Sequence, residues 1–253
     1  MGSASVPADQ RLERVKLTWH ASANYGARRG GALPDLVVLH HTAMRDAMAA
    51  LDRLCDAQAE VSAHYLIARG GEVFQLVEEE RRAWHAGAGA WGAVRDVNSR
   101  SIGIELDNTG AQPFAEPQMV ALESLLAGIL GRWSIPPERV IAHSDMAPAR
   151  KSDPGARFDW RRLACTGLSV WPGFSSDACA PSSSEKGAKA AAEHAFQTAA
   201  IRFGYPEARP AAVLNAFRQR FRPWAAGPVS AADVTALGDL ARRYPVDRQR
   251  QNA

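Results

Sequence analysis

The run Leu36-Val37-Val38-Leu39 ends in the pair His40-His41, and that block restricts the chain more than any other stretch. Successive side chains on a strand point to opposite faces, so an unbroken apolar run predicts a strand buried on both sides, within a sheet covered by a further layer on each face. Material for those layers is present. From Glu116 to Trp133, Val120, Leu122, Leu125, Leu126, Ile129, Leu130 and Trp133 recur at three- and four-residue intervals, which predicts a long amphipathic helix. Met44, Met48, Leu51, Leu54 and Cys55 form a second stripe, with Thr42 placed to cap that helix. Other stretches read as strands. His64 to Ile67, the turn Arg69-Gly70-Gly71 and Val73 to Val77 predict a hairpin, while Ile102 to Leu106 and Val140 to Ala142 are short apolar runs. Strands interleaved with helices give an α/β class.

The segment Ala142 to Trp160, AHSDMAPARKSDPGARFDW, is polar and broken by Pro148, Pro154 and Gly155, so it predicts an ordered loop of the sort that carries function. His143 would stand at a strand end, and Asp153, biased toward an extended backbone by Pro154, is free to turn back to it. A histidine with a carboxylate suits zinc, and a zinc site that does chemistry has three protein ligands and an open position. The third donor is expected at the end of the Leu36 to Leu39 strand. Spacing alone leaves His40 and His41 open, since only one of them faces a given side. Glu105 lies inside an apolar strand, where an unpaired carboxylate is costly unless it has a task; the alternative is that it faces solvent on a sheet edge. Trp84 and His85 fall in a Gly-rich loop suited to ligand contact, and His20 and His194 read as surface residues.

The chain has 253 residues, with Lys+Arg 30 against Asp+Glu 27 and a formal charge of +3. That near balance gives no electrostatic case for nucleic acid or a polybasic membrane anchor. No stretch approaches the roughly 20 apolar residues needed to span a bilayer, and MGSASVPADQ lacks the features of a leader. A cytoplasmic location is expected, with the periplasm or outer membrane as the alternative should a leader have been removed. Cys55, Cys165 and Cys179 lack metal-ligand spacing, which leaves a Cys165 to Cys179 bridge open. Residues 1–34 read as an arm and loop, 35–174 as the main domain, 175–189 as a Ser-rich linker, and 190–253 as a small domain of three helices. In the last of these Ser230 and Asp233 form a capping box. A polar linker implies few contacts across that boundary, so truncation after Pro172 is expected to leave a folded main domain.

Val37 to Thr42, Ser62 to Ile67, Trp84 to Gly87, Ser101 to Glu105, and His143-Ser144-Asp145 through Arg150 to Gly155 together resemble the zinc-dependent N-acetylmuramoyl-L-alanine amidases, in order, over roughly residues 35 to 165. The resemblance implies a central mixed β-sheet flanked by helices. It selects His40, with His143 and Asp153, as the zinc ligands. It assigns Glu105 as general base and Lys151 as support for the oxyanion, and leaves His64, His85 and Trp84 as substrate or supporting contacts. The implied partner is peptidoglycan or a muropeptide, met by a monomer. Non-catalytic recognition proteins of the same family lose the ligand at the position of Asp153, so a binding protein is the alternative reading. The helical tail, through Phe203-Gly204-Tyr205-Pro206 and Ala216 to Phe221, resembles a peptidoglycan-binding module.

Overall fold

The computed structural model describes residues 16–173 and 186–247. In chain order the strands are β1 (Leu17–Trp19), β2 (Tyr25–Ala27), β3 (Leu36–His41), β4 (Tyr65–Ile67), β5 (Val73–Gln75), β6 (Arg81–Ala83), β7 (Ser101–Leu106) and β8 (Val140–Ala142). The α-helices are α1 (Ala47–Cys55), α2 (Val97–Arg100), α3 (Glu116–Trp133), α4 (His143–Met146), α5 (Trp160–Cys165), α6 (Lys186–Phe203), α7 (Pro210–Phe221) and α8 (Ala231–Arg243). Six strands make one mixed sheet in the order β1-β5-β4-β7-β3-β8, and β2 and β6 form a separate antiparallel pair. Within the sheet only β4 and β5 pair antiparallel, through the expected hairpin.

Side-chain alternation along β3 divides the core in two. Val37 and Leu39 join Ile102 and Ile104 of β7 against Leu122, Leu125, Leu126 and Ile129 of α3. Leu36 and Val38 face the other way, with Ile141, Met146 and Trp91, onto Phe196 and Phe203 of α6, Phe217 and Phe221 of α7, and Leu237 and Leu240 of α8. A third cluster seats Leu51 and Leu54 of α1 on Leu66, Leu76 and Val77. The doubly buried run is thus covered on both faces, and the tail helices form part of the cover.

Several details depart from expectation. The arm contains two strands: β1 is an exposed edge strand paired with β5, and β2 pairs with β6. Backbone bonds rather than burial hold them, so hydropathy carries no trace of them. Helix α1 begins at Ala47 and is capped by Asp46, whose carboxylate accepts from Ala49 N–H. Thr42 instead accepts from Met44 N–H and donates to the Asn108 carbonyl, and Met48 is exposed. His143 to Met146, within the segment read as loop, form one buried helical turn. Most of the expected 175–189 linker, and Cys179 of the candidate bridge, lie outside the described residues.

Candidate metal centre and active site

The register of the sheet brings the site together. β3 and β8 run parallel with Leu39 opposite Ala142, so the next residues, His40 and His143, emerge side by side at the same end. β3 and β7 also run parallel, with His40 opposite Glu105, which puts that carboxylate on the same face as His40. Asp153 returns to the turn through its carbonyl, which accepts from Ser144 N–H at 3.0 Å. His40 Nδ1 lies 2.9 Å from His143 Nδ1 and 3.1 Å from Asp153 Oδ2, and His143 Nδ1 lies 3.0 Å from the same oxygen. All three residues are buried, and the group is one that could hold a metal ion. His41 points elsewhere, its Nδ1 3.2 Å from the Pro154 carbonyl.

The outer partners fix where the protons are. His143 Nε2 lies 2.9 Å from the Ala86 carbonyl, which can only accept, so Nε2 carries the hydrogen and Nδ1 a lone pair. For His40 the chain of inference is longer. Ser101 Oγ donates to the Val97 carbonyl at 2.6 Å, so toward His85 Nε2, 3.1 Å away, it can only accept. His85 therefore presents the lone pair of Nδ1 to His40 Nε2 at 3.0 Å, which leaves His40 Nδ1 unprotonated as well. Burial, then repulsion from His143, lowers the His40 pKa to about 4, and burial with the neighbouring histidines holds His85 well below its ordinary value. Burial works to raise the Asp153 pKa, but the two histidines beside it prevail and hold it far below the usual carboxylate range. Two imidazole lone pairs and a carboxylate thus converge with no proton of their own, an arrangement that a cation satisfies.

Beside them, Glu105 Oε2 has no hydrogen-bond partner. Burial, reinforced by the Asp153 carboxylate and opposed by Lys151, pushes its pKa up to about 8. Glu105, Lys151 and Trp84 line a cavity of about 280 Å³ together with His40, His143 and Asp153, and Met44, Leu54 and Val61 give it an apolar wall. A larger cleft of about 1270 Å³ lies near Pro34 and Tyr244, but its Arg100 and Arg139 are both paired with its Asp35. The smaller cavity is the one in which unpaired polar atoms converge.

His64 does not reach the cavity. It is fully buried, its Nδ1 accepts from Gly103 N–H at 3.0 Å, and its Nε2 lies 3.1 Å from the Arg81 carbonyl. Its partners leave it no face for a ligand, so its place is behind the site. Sequence reading did not find Ser101, the Ala86 carbonyl or Gly103. A Cβ at Gly103 would come within 2.4 Å of the His85 ring, so the missing side chain is what admits that ring. A glycine inside an apolar strand was the available signal. Arg28 was also missed. Its buried guanidinium donates to the carbonyls of Glu79, Ser99 and Ser101, tying the segment around β2 to the start of β7.

Comparison with known proteins gives the family. The sequence profile for N-acetylmuramoyl-L-alanine amidase matches residues 29–156. The chain is 42% identical over 153 residues to the N-acetylmuramoyl-L-alanine amidase AmiD of Escherichia coli K12, covering 54% of each protein. It is 42% identical over 107 residues to the 1,6-anhydro-N-acetylmuramyl-L-alanine amidase AmpD of Enterobacter cloacae, covering 42% of this chain and 57% of that protein. The matches thus span little more than half the length of these curated relatives. The solved complex of E. coli AmiD with anhydro-N-acetylmuramic acid-L-Ala-D-gamma-Glu-L-Lys superposes with a TM-score of 0.74 at 31% identity, over 87% of this chain and 98% of that one. AmpDh3 of Pseudomonas aeruginosa in complex with anhydromuramic pentapeptide gives 0.68 at 29% identity, over 89% and 96%. An AmpD chain, with a TM-score of 0.53 at 28% identity, is covered over 93% of its length by only 60% of this one. On the match to half of its residues and on the likeness of its whole fold to AmiD, the chain belongs to the N-acetylmuramoyl-L-alanine amidase family.

Proposed function

We propose that the chain is a zinc hydrolase that cleaves the amide bond between N-acetylmuramic acid, or its 1,6-anhydro form, and L-alanine in peptidoglycan-derived muropeptides. One observation carries the reading: three proton-free acceptors, His40 Nδ1, His143 Nδ1 and Asp153 Oδ2, converge beside the unpartnered Glu105 Oε2 in one cavity. Two imidazoles and one carboxylate are a ligand set of catalytic zinc sites. Bound there, zinc would acidify water and polarise the scissile carbonyl.

The chain's own groups supply the rest. The hydrogen bonds of His143 to Ala86 and of His40 to His85 hold both rings in the ligating tautomer. Glu105, its Oε2 unpartnered, takes a proton from the attacking water and returns it to the departing L-alanine nitrogen. Lys151, at the same cavity, offsets the charge that develops on the carbonyl oxygen. Trp84 and His85 line the same cavity, Trp84 as a substrate contact and His85 as the partner that orients the His40 ring. The solved relatives that hold anhydromuramoyl peptides favour muropeptides as the substrate class. The alternative of a binding protein lacking catalysis is disfavoured by the intact Asp153, Glu105 and Lys151.

Anhydromuramoyl peptide and intact sacculi, each incubated with the zinc-loaded protein, should yield free stem peptide detectable by mass spectrometry. Zinc-loaded protein that binds muropeptide and releases no peptide would overturn the catalytic reading. No described helix is long and apolar enough to cross a membrane.

A further inference from the structure

From the contacts that the tail helices make around His143 we infer that α6 and α7 are a positioning element of the metal centre, acting through Arg220 and Tyr205 on the backbone of the His143 turn and through Trp91 on the carbonyl that orients its ring. The inference rests on the assignment of His143 as a metal ligand.

The first contact reaches the backbone. Asp145, fully buried two residues after His143, accepts from Ala142 N–H at 2.9 Å and so closes the turn that starts at the strand end. Its carboxylate also takes Arg220 Nη1 of α7 at 2.6 Å and the Tyr205 hydroxyl, just after α6, at 2.7 Å. Arg220 is itself buried, stacked 4.3 Å over the Trp160 ring, and its Nη2 donates to the Val140 carbonyl of β8 at 2.8 Å. One guanidinium from the tail therefore grips both the strand that leads into His143 and the carboxylate that closes the turn after it.

The second contact reaches the ring. The Ala86 carbonyl that fixes the His143 tautomer lies in the loop that runs on to Trp91 and Gly92. That loop is held at Ala90, whose N–H donates to the Met146 carbonyl at 2.9 Å, and at Gly92, whose N–H donates to the Gly204 carbonyl of the tail at 2.8 Å. The Trp91 ring packs edge-on against Phe203 and Tyr205, each at 5.4 Å between centroids. A Cβ at Gly204 would stand 2.4 Å from that indole, so the approach of tail to loop is as close as glycine allows. His143 is thus set from two directions by residues that ligate nothing. Groups that hydrogen-bond a ligand directly typically tune metal affinity roughly 10-fold to 100-fold, and these residues act one step behind such groups.

The test compares Tyr205→Phe and Arg220→Met with wild type in the full chain, reading zinc affinity by competition with a chromophoric chelator, turnover on anhydromuramoyl peptide, and the melting temperature of the zinc-free protein. Tyr205→Phe deletes one oxygen and should weaken zinc binding about 10-fold; Arg220→Met should weaken it further. Leu237→Ala, in the same apolar cluster but outside the hydrogen bonds of Asp145, serves as a destabilised control that should lower the melting temperature and leave zinc affinity within about twofold. Should Arg220→Met fail to fold, Tyr205→Phe against Leu237→Ala still decides. Wild-type zinc affinity in Tyr205→Phe, or an equal loss in Leu237→Ala, overturns the inference. His143→Ala separates the two levels: if it keeps zinc, the ligand assignment itself falls, whereas if it loses zinc while Tyr205→Phe does not, only the role of the tail falls.

Discussion

Asp145 and Asp153 stand eight positions apart, both buried, and their surroundings differ in one respect. Asp145 meets a guanidinium, a phenol hydroxyl and a backbone N–H, so its charge is matched inside the protein. Asp153 meets the unprotonated faces of two imidazoles, with Glu105 and its unpartnered oxygen nearby. Burying a carboxylate is costly unless it is paired, so the first arrangement is complete and the second is finished only by something from outside. The imbalance, more than cavity size or the presence of histidine, separates the site from the scaffold. His64, equally buried but with both nitrogens satisfied, falls on the scaffold side.

Removing a donor from the incomplete cluster should have the largest effect. His40→Ala, His143→Ala and Asp153→Ala are each expected to abolish zinc retention in elemental analysis and to bring turnover below detection, while His41→Ala keeps the metal. Metal lost in His41→Ala but kept in His40→Ala would reverse the assignment of strand face.

Next in size is Glu105→Gln, which keeps the shape and the metal and removes the base. Turnover should fall by roughly 100-fold to 10,000-fold while muropeptide still binds. Lys151→Met should slow turnover without touching proton transfer, and the two losses should not simply add. Near-normal turnover in a zinc-bound Glu105→Gln protein would remove Glu105 from the mechanism.

Truncation after Pro172 sharpens the scaffold side. A polar linker argues for independence, but Leu36, Val38, Ile141 and Trp91 share their apolar cluster with α6, α7 and α8, and Asp145 would lose its cation. The shortened chain is therefore expected to melt well below the full chain and without a sharp transition, as followed by circular dichroism. Breaking a buried ion pair by itself typically costs about 3–5 kcal/mol.

The smallest effect is a slope with pH. In the metal-free protein Glu105 binds its proton up to about pH 8, against an ordinary 4.5, so its contribution to stability is fully present below about 4.5 and is lost as pH rises through about 8. Glu105→Gln should flatten this fall in melting temperature. An unchanged slope would mean that Glu105 is solvated in the folded chain.

Much of the scaffold was legible because it repeats. The apolar runs of β3 and β8, the stripe of α3 and the Ser230/Asp233 capping box each follow from residues near in sequence. The site was legible as far as its residue types and strand-end positions; the choice of His40 over His41 needed the family resemblance, because alternation identifies faces without saying which face carries the site. What stayed hidden depends on distant partners. Arg220 and Asp145 are 75 positions apart, and Arg28 reaches Ser101 across 73, with nothing local to mark either. The strands β1 and β2 were hidden for another reason, since largely exposed three-residue segments held by main-chain bonds need no apolar pattern.

The parallel pairing of β3 with β8 has a consequence in time. His40 and His143 are 103 positions apart and meet only once that pairing has formed across the whole intervening chain. Non-local contacts of this kind are slow to form, because loop-closure entropy is lost before any contact offsets it. The ligand set should therefore be absent from early, partly ordered states, and an ion that needs all three donors has nothing to seize until the sheet is complete. Zinc would then act as a latch rather than a template, slowing unfolding while leaving the rate of refolding where the bare chain sets it.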